Sequence, residues 1–196
     1  MTLSIVVLAS GRGSNFKAIL NAIAAKKCDA KILALISDHA DAPAISIAKK
    51  AGIPAHVVEK KDFSSPLAFD EKLLEIFFLY KPDFVVLAGY MRILRSPKIF
   101  TAYRNRILNI HPSLLPKYPG AHAQKDAFEA GEKISGLTIH LVDESLDAGP
   151  IIYAEKVDIS SCRSAGEAAD KILEHEHIAY PMVIDRLAKG KINLPV

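Results

Sequence analysis

The sequence predicts an α/β fold: a Rossmann-like, mostly parallel sheet with helices on both faces, then a C-terminal hairpin and a long C-terminal helix. Three observations predict it. Short apolar runs alternate with amphipathic stretches through the first half, which is the rhythm of strands buried on both faces and joined by helices. A glycine-containing loop follows the first apolar run. In the second half, two apolar runs flank a Gly-Pro turn and precede a long amphipathic stretch.

The first half is expected to contain four strands and three helices. The strands are placed at Leu3–Leu8, Lys31–Ser37, Ala55–Val58 and Phe84–Ala88, and the helices at Asn15–Lys26, Pro43–Ala51 and Pro66–Tyr80. Ser65 before Pro66 indicates a helix start, because serine caps free N–H groups and proline suits the first helical position. Gly52 is placed to end the second helix.

The second half continues with a strand, a proline-dense turn, a helix, a hairpin and a final helix. They are expected at Ile107–Ile110 (strand), Gln124–Ala130 (helix), Gly136–Val142 and Ile151–Ile159 (hairpin), and Ser164–Lys189 (final helix). Ser164 and Glu167 fit a capping box, and Pro181 is expected to break or kink the helix that they open. No linker composition is visible, so residues 1–196 are predicted to form a single domain with halves of about 1–105 and 106–196.

Composition limits the class of protein. Half of the 196 residues are hydrophobic and 24% are charged, which suffices for one buried core. The net charge of +3, with scattered lysines and arginines, suits an anionic small molecule and not a nucleic acid. The longest apolar run, Phe84 to Gly89, is far shorter than a membrane span, and no signal peptide is visible. Cys28 and Cys162 match no metal or redox spacing, which favours a reducing, cytoplasmic setting.

The glycine loop is the first candidate site. Gly11 and Gly13 follow the first strand and lead through Ser14 and Asn15 into the first helix. Glycines allow a tight turn, and free N–H groups at a helix N-terminus attract an anion. Neither the third glycine of a dinucleotide fingerprint nor a nucleotide P-loop lysine is present, so one compact phosphate fits best. The alternative is a plain strand-to-helix turn with serine as its cap.

An amide, an imidazole and a carboxylate form the second candidate site. Asn109 and His111 are expected on one face at the end of a strand, where open α/β sheets place their ligands. An asparagine N–H can hold a developing oxyanion, and a histidine can move a proton near neutral pH. Asp147, in a Gly-Pro turn, would favour the protonated imidazole. His140, on the strand before it, could add a donor. For each residue alone, a structural hydrogen-bonding role is the alternative.

Other chemistries fit this sequence less well. Ser113 lies close to His111, but no Gly-x-Ser-x-Gly elbow of a serine hydrolase is present. His175 and His177 would diverge by about 200° on a helix, so they do not form a metal pair. We therefore expect no metal site at this histidine pair.

At these residues the chain resembles the phosphoribosylglycinamide formyltransferase family. The resemblance extends over nearly the whole chain. It is carried by residues 10–15, the Ala88-Gly89-Tyr90-Met91-Arg92-Ile93-Leu94 run, the Asn109–Gly120 run, Thr138-Ile139-His140, Asp147-Ala148-Gly149-Pro150-Ile151, and Glu176-His177 with Tyr180-Pro181.

The resemblance implies a site for each part of two substrates. Gly13, Ser14 and Asn15 would hold the phosphate of glycinamide ribonucleotide, and Glu176 its ribose hydroxyls. For the co-substrate 10-formyltetrahydrofolate, the pterin pocket would be lined by Met91, Arg92, Ile93, Leu94, Val142 and Asp143. Asn109 would position the formyl oxygen, His111 would donate a proton, Asp147 would support His111, and His140 and Ser113 would have supporting roles. The Leu115–Pro116 bond is expected to be cis, and Lys60 or Lys61 to meet the glutamate tail.

The implied reaction is direct formyl transfer to the ribonucleotide amine in de novo purine synthesis, without a metal. Rival activities within the fold are methionyl-tRNA formyl transfer, sugar-nucleotide N-formyl transfer and formyltetrahydrofolate hydrolysis. A non-catalytic folate or nucleotide binder would not need Asn109, His111 and Asp147 together. The sequence leaves open whether the protein is a monomer or a homodimer.

Overall fold

The computed structural model describes residues 2–195, and these contain one seven-stranded sheet. Its strands are β1 (Leu3–Leu8), β2 (Ala30–Ser37), β3 (Ala55–Val57), β4 (Phe84–Leu87), β5 (Ile107–His111), β6 (Ile134–Leu141) and β7 (Ile151–Asp158). Their order across the sheet is β3-β2-β1-β4-β5-β6-β7. The pairs from β3 to β5 are parallel, whereas β6 and β7 are antiparallel to their neighbours and form the expected hairpin.

Helices cover both faces of this sheet, as the sequence predicts. They are α1 (Ser14–Ala24), α2 (Pro43–Lys50), α3 (Pro66–Tyr80), α4 (Pro97–Ala102), α5 (Ala123–Glu129) and α6 (Ala165–Ala188). Every predicted strand and helix is present, with bounds within two residues of the prediction. The sequence interpretation missed α4 and a short 3-10 helix at Lys60–Asp62. The predicted α/β fold is therefore confirmed.

The expectation that Pro181 breaks α6 was wrong. Pro181 does not break the helix, which continues through it to Ala188. An internal proline removes a hydrogen bond and costs about 3 kcal/mol. Here the surrounding residues Ala179, Tyr180, Val183 and Ile184 are fully buried against the sheet. Packing of this face outweighs the local preference, because most helical stability in proteins comes from such packing.

The core consists of two layers, one on each side of the sheet. Alternate residues of β1 belong to different layers: Ile5 and Val7 pack with α1 and α6, whereas Val6 and Leu8 pack with α3 and α4. All four side chains are fully buried. This explains why residues 5–8 of β1 form a continuous apolar run, because both faces of the strand are covered there. Within residues 2–195, no helix is long and apolar enough to cross a membrane.

A buried tyrosine fixes α6 to the middle of the sheet. The hydroxyl of Tyr180 donates to the main-chain oxygens of Leu87 and Leu108, each at 2.9 Å. These oxygens belong to β4 and β5, so one side chain joins the helix to two adjacent strands. The cis Leu115–Pro116 bond expected from the sequence is present in the turn after β5.

Candidate active site

A cavity of about 760 Å³ lies at the carboxyl ends of β1, β4 and β5. The strand order reverses between β1 and β4, and ligands of open α/β sheets bind at such a switch point. Three segments at strand ends contribute most of the wall, namely residues 10–15, 87–94 and 109–112. Side chains from α6 and from the connection between β6 and β7 complete it.

The glycine loop, residues 10–15, ends in an uncapped helix. Gly13 is the residue before α1, and no side chain caps the helix there. The Ser-capped turn that the sequence left as an alternative is therefore wrong. Gly13 has a φ of 70°, and an added Cβ would lie 2.7 Å from the Cβ of Ala44. Only glycine fits this position, and the first N–H groups of α1 have no capping side chain to bind.

Asn15 and Glu176 meet beside this loop. The amide nitrogen of Asn15 lies 2.7 Å from a carboxylate oxygen of Glu176, and both side chains are buried. Burial raises the pKa of Glu176 to about 7, and the Asn15 hydrogen bond opposes that rise. The structure therefore brings together Gly13, Ser14, Asn15 and Glu176, the four residues assigned to the ribonucleotide.

Asn109 is oriented by His140, its partner across the β5–β6 ladder. Nδ1 of His140 lies 2.9 Å from the main-chain oxygen of Leu141, so this nitrogen carries a hydrogen. Nε2 of His140 lies 3.1 Å from Nδ2 of Asn109 and 3.6 Å from Oδ1 of Asp147. The shorter contact favours a lone pair on Nε2 that accepts from Asn109. The second N–H of the Asn109 amide is then free to bind a ligand in the cavity.

His111 is held at both of its ring nitrogens. Nε2 lies 2.8 Å from the main-chain oxygen of Tyr118, and because a carbonyl only accepts, Nε2 donates. Nδ1 lies 3.5 Å from Oδ2 of Asp147. A second proton on Nδ1 would therefore face a carboxylate. The imidazole is 4% exposed, so it is shielded from bulk water but still lines the cavity.

Asp147 receives contacts from three sides. Its Oδ2 accepts from the main-chain N–H of Gly120 at 2.9 Å, and the two imidazoles of His111 and His140 face its carboxylate. Asn109, His111, His140 and Asp147 thus form one connected group, which we call the polar cluster.

Another part of the cavity wall combines exposed apolar side chains with an ion pair between half-buried Arg92 and buried Asp38. Met91 and Ile93 are more than half exposed, whereas Leu94 is buried. Nε of Arg92 donates to Oδ2 of Asp38 at 2.6 Å, and its guanidinium lies over the Phe69 ring. Val142 and Asp143 also line the cavity. All six residues assigned to the pterin pocket therefore line the cavity.

Ser113 and the two lysines lie outside the cavity lining. Ser113 is fully buried, and its hydroxyl donates to the main-chain oxygens of Lys117 and Tyr118. It supports the turn that places the Tyr118 oxygen against His111. Lys60 and Lys61 form the short 3-10 helix, where Lys61 pairs with Glu59 at 2.8 Å.

The sequence interpretation missed several groups that the fold brings to the cavity. Gln124 and His39 line it, although no spacing pattern connects them, and so does Tyr90, which precedes Met91 but was given no role. The sequence interpretation also missed the contact between His111 and the main-chain oxygen of Tyr118. The position of a main-chain atom cannot be read from the residue type. Among residues 2–195, no group of three or more potential ligands is arranged to hold a metal ion.

Comparisons with known proteins find relatives over nearly the whole chain. A family model described as formyl transferase matches residues 3–184. Phosphoribosylglycinamide formyltransferase of Escherichia coli (strain K12) is 42% identical over 192 residues, covering 98% of this chain and 90% of that protein. The trifunctional purine biosynthetic protein adenosine-3 of Drosophila melanogaster is 40% identical over 188 residues, which are 95% of this chain and 14% of that protein. The crystal structure of glycinamide ribonucleotide transformylase 1 from Symbiobacterium toebii has a TM-score of 0.94 and 39% identity, covering 100% of this chain and 95% of that one.

Proposed function

We propose, from the premise that this chain belongs to the formyl transferase family, that it transfers a formyl group from 10-formyltetrahydrofolate to N1-(5-phosphoribosyl)glycinamide. The acceptor is the glycinamide amine, and the N-formyl product belongs to de novo purine biosynthesis. One observation carries the proposal: the polar cluster and the uncapped start of α1 line the same cavity. The protein can therefore hold a phosphate and a reacting carbonyl in one cavity at the same time.

The acceptor would lie across the carboxyl ends of three strands. Its phosphate would bind the N–H groups at Gly13, Ser14 and Asn15, since a helix N-terminus favours an anion. Its ribose hydroxyls would bind the carboxyl group of Glu176. In the sheet β4 lies between β1 and β5, so roughly 10 Å separates the glycine loop from the polar cluster. A phosphoribosyl group can extend over such a distance and bring its amine to Asn109.

The folate would enter from the wall that carries Met91 to Leu94. The exposed side chains of Met91 and Ile93 offer apolar surface to a pterin ring. Val142 and Asp143 would contact its other side, with main-chain groups reading its polar edge. The N–H of Val142 already donates to the oxygen of Ile107, so its oxygen is the available group.

The chemistry would proceed through a tetrahedral intermediate. The amine nitrogen bonds to the formyl carbon, and the formyl oxygen becomes an oxyanion. The free N–H of Asn109 and a proton on Nδ1 of His111 would stabilise this charge. The C–N10 bond then breaks, N10 takes up a proton, and the amine loses one. Asp147 would stabilise His111 in its charged form, because the carboxylate faces Nδ1.

The test is an assay of the purified protein with glycinamide ribonucleotide and 10-formyl-5,8-dideazafolate. Release of the deformylated folate is followed by absorbance, and each substrate is omitted in turn. We expect release only when both substrates are present. Release without the ribonucleotide would mean a hydrolase and would overturn the proposal. No release with this acceptor, but release with an amino-sugar nucleotide, would mean a sugar-nucleotide N-formyltransferase.

A further inference from the structure

We infer that Glu132 is a positioning residue for His111, acting through Tyr118. The inference rests on the proposed function, because it assigns a remote residue to the same reaction. Glu132 lies in the connection between α5 and β6 and does not line the cavity. Two hydrogen bonds, both made by Tyr118, connect its carboxylate to the imidazole of His111.

The first step joins Glu132 to the turn after β5. Its Oε1 accepts from Nζ of Lys117 at 2.8 Å and from the hydroxyl of Tyr118 at 3.0 Å. The hydrogen bonds from Lys117 and then Tyr118 hold the pKa of Glu132 below its ordinary value. The carboxylate is therefore charged at neutral pH and ties two neighbouring residues of the turn to one point.

The second step joins the Tyr118 main chain to the imidazole. The Tyr118 oxygen lies 2.8 Å from Nε2 of His111 and accepts from the Ser113 hydroxyl at 3.1 Å. Tyr118 has a φ of 54°, in the left-handed region that residues with a Cβ rarely adopt. This conformation needs support from outside the residue. The side-chain bond to Glu132 supplies that support on one side and Ser113 supplies it on the other.

The direction of the Tyr118 oxygen determines the ring orientation of His111 and which of its nitrogens carries the hydrogen. While Nε2 donates to this oxygen, Nδ1 is the nitrogen that faces Asp147. If the oxygen turned away, Nε2 would lose its acceptor, and the ring could rotate or move its hydrogen to Nδ1. Small misplacement of a reacting group has large kinetic effects. Glu132 would thus affect turnover without touching a substrate.

The test uses variants that separate the hydrogen bond from the charge. Tyr118→Phe removes only a hydroxyl, Glu132→Ala removes the acceptor, and Glu132→Gln keeps an acceptor oxygen without charge. For Tyr118→Phe and Glu132→Ala we expect kcat to fall at least about fivefold, with both KM values within about twofold of wild type. Glu132→Gln should stay close to wild type, as should the control Glu129→Gln, an exposed carboxylate on α5. The double variant Tyr118→Phe/Glu132→Ala should lose no more than either single variant, because both remove the same bond.

A second readout is independent of the reaction. Nitrogen-15 shifts of the His111 ring, assigned by comparison with His111→Gln, should show a hydrogen on Nε2 in the wild type. Tyr118→Phe and Glu132→Ala should show a mixture of tautomers. Unchanged kcat with an unchanged ring in Tyr118→Phe would overturn the inference, and so would additive losses in the double variant. If the wild type transferred no formyl group, the proposed function would fail, whereas the ring shifts would still test the positioning.

Discussion

The glycine loop and the polar cluster line one cavity but are built from different groups. The loop offers main-chain N–H groups, and its shape depends on Gly13 packing against Ala44. The polar cluster offers side chains, each oriented by a hydrogen bond with another side chain or with a main-chain atom. The loop should therefore be sensitive to added volume and tolerant of changes in polarity. The cluster should show the reverse, since isosteric changes that remove a donor leave its volume unchanged.

The largest effect is expected at Asn109, where a donor can be removed without changing the shape. Asn109→Asp places a second carboxylate beside Asp147 and removes the N–H groups. We expect kcat to fall by about 10²–10³, the cost of one oxyanion donor. KM for both substrates should change much less, because the donor acts on the developing charge. Steady-state kinetics of Asn109→Asp and Asn109→Ala would test this, and wild-type-like turnover in Asn109→Ala would contradict the oxyanion role.

The next effect concerns Glu176, a buried carboxyl group beside the glycine loop. Its pKa is about 7 in the folded protein against 4.5 ordinarily, so above pH 4.5 the unfolded chain ionises before the folded one. The free energy of unfolding should therefore fall by roughly 3 kcal/mol between pH 4.5 and 8, and stay level above that. Glu176→Gln, which keeps an acceptor for Asn15, should lack this fall. Guanidinium unfolding at both pH values measures the difference, with the exposed Glu174→Gln as control. Parallel pH profiles of Glu176→Gln and wild type would show that the buried carboxyl does not titrate in this way.

A smaller effect is expected when volume is added to the loop. Gly13→Ala would force a left-handed alanine, at about 1–2 kcal/mol, and would press its Cβ against Ala44. The displaced loop should raise KM for the ribonucleotide more than it lowers kcat. Gly11→Ala is the matched control, because a Cβ at Gly11 meets nothing within 4 Å. If Gly13→Ala and Gly11→Ala had equal kcat and KM, the loop would not be sensitive to added volume, and its distinction from the polar cluster would fail.

The smallest effect is expected at Ser113, which supports the cluster from behind the cavity. Ser113→Ala would leave the Lys117 and Tyr118 oxygens without this donor and should lower stability by about 1 kcal/mol. Thermal unfolding measures the loss. Tyr118 would keep its bond to Glu132, so turnover should fall less than in Tyr118→Phe. A larger loss of turnover in Ser113→Ala than in Tyr118→Phe would show that the Ser113 hydroxyl, and not Glu132, holds the turn.

The sequence predicts the fold well where local signals and packing agree. Helix α3 begins and ends where Ser65-Pro66 and the apolar spacing indicate. The same signal, Ser96-Pro97, opens α4, but that helix has only six residues and too little periodicity to be recognised. Pro181 shows the opposite case, in which burial overrides a local signal.

For the site, the sequence predicts which residues meet but not how they are held. Asn109, His111 and Asp147 could be grouped because each lies at the end of a strand or in a Gly-Pro turn. The pairing of Asn109 with His140 depends on the register between β5 and β6, which two apolar runs do not specify. The bond from His111 to the Tyr118 oxygen depends on a left-handed residue, and tyrosine gives no hint of that conformation. Their catalytic roles stay predictions until the variants are measured.

Tyr180 has a consequence for any attempt to exchange the last helix between relatives. Its hydroxyl bond to β4 and β5 sets the phase of α6, and Glu176 lies one turn earlier on the same side. A graft that slid by one residue would shift Glu176 by about 1.5 Å along the axis and rotate it by about 100°. The apolar face could still find partners in the core, yet the carboxyl group would leave Asn15. A functional chimera must therefore preserve the spacing between the acid and the tyrosine, whatever else it replaces.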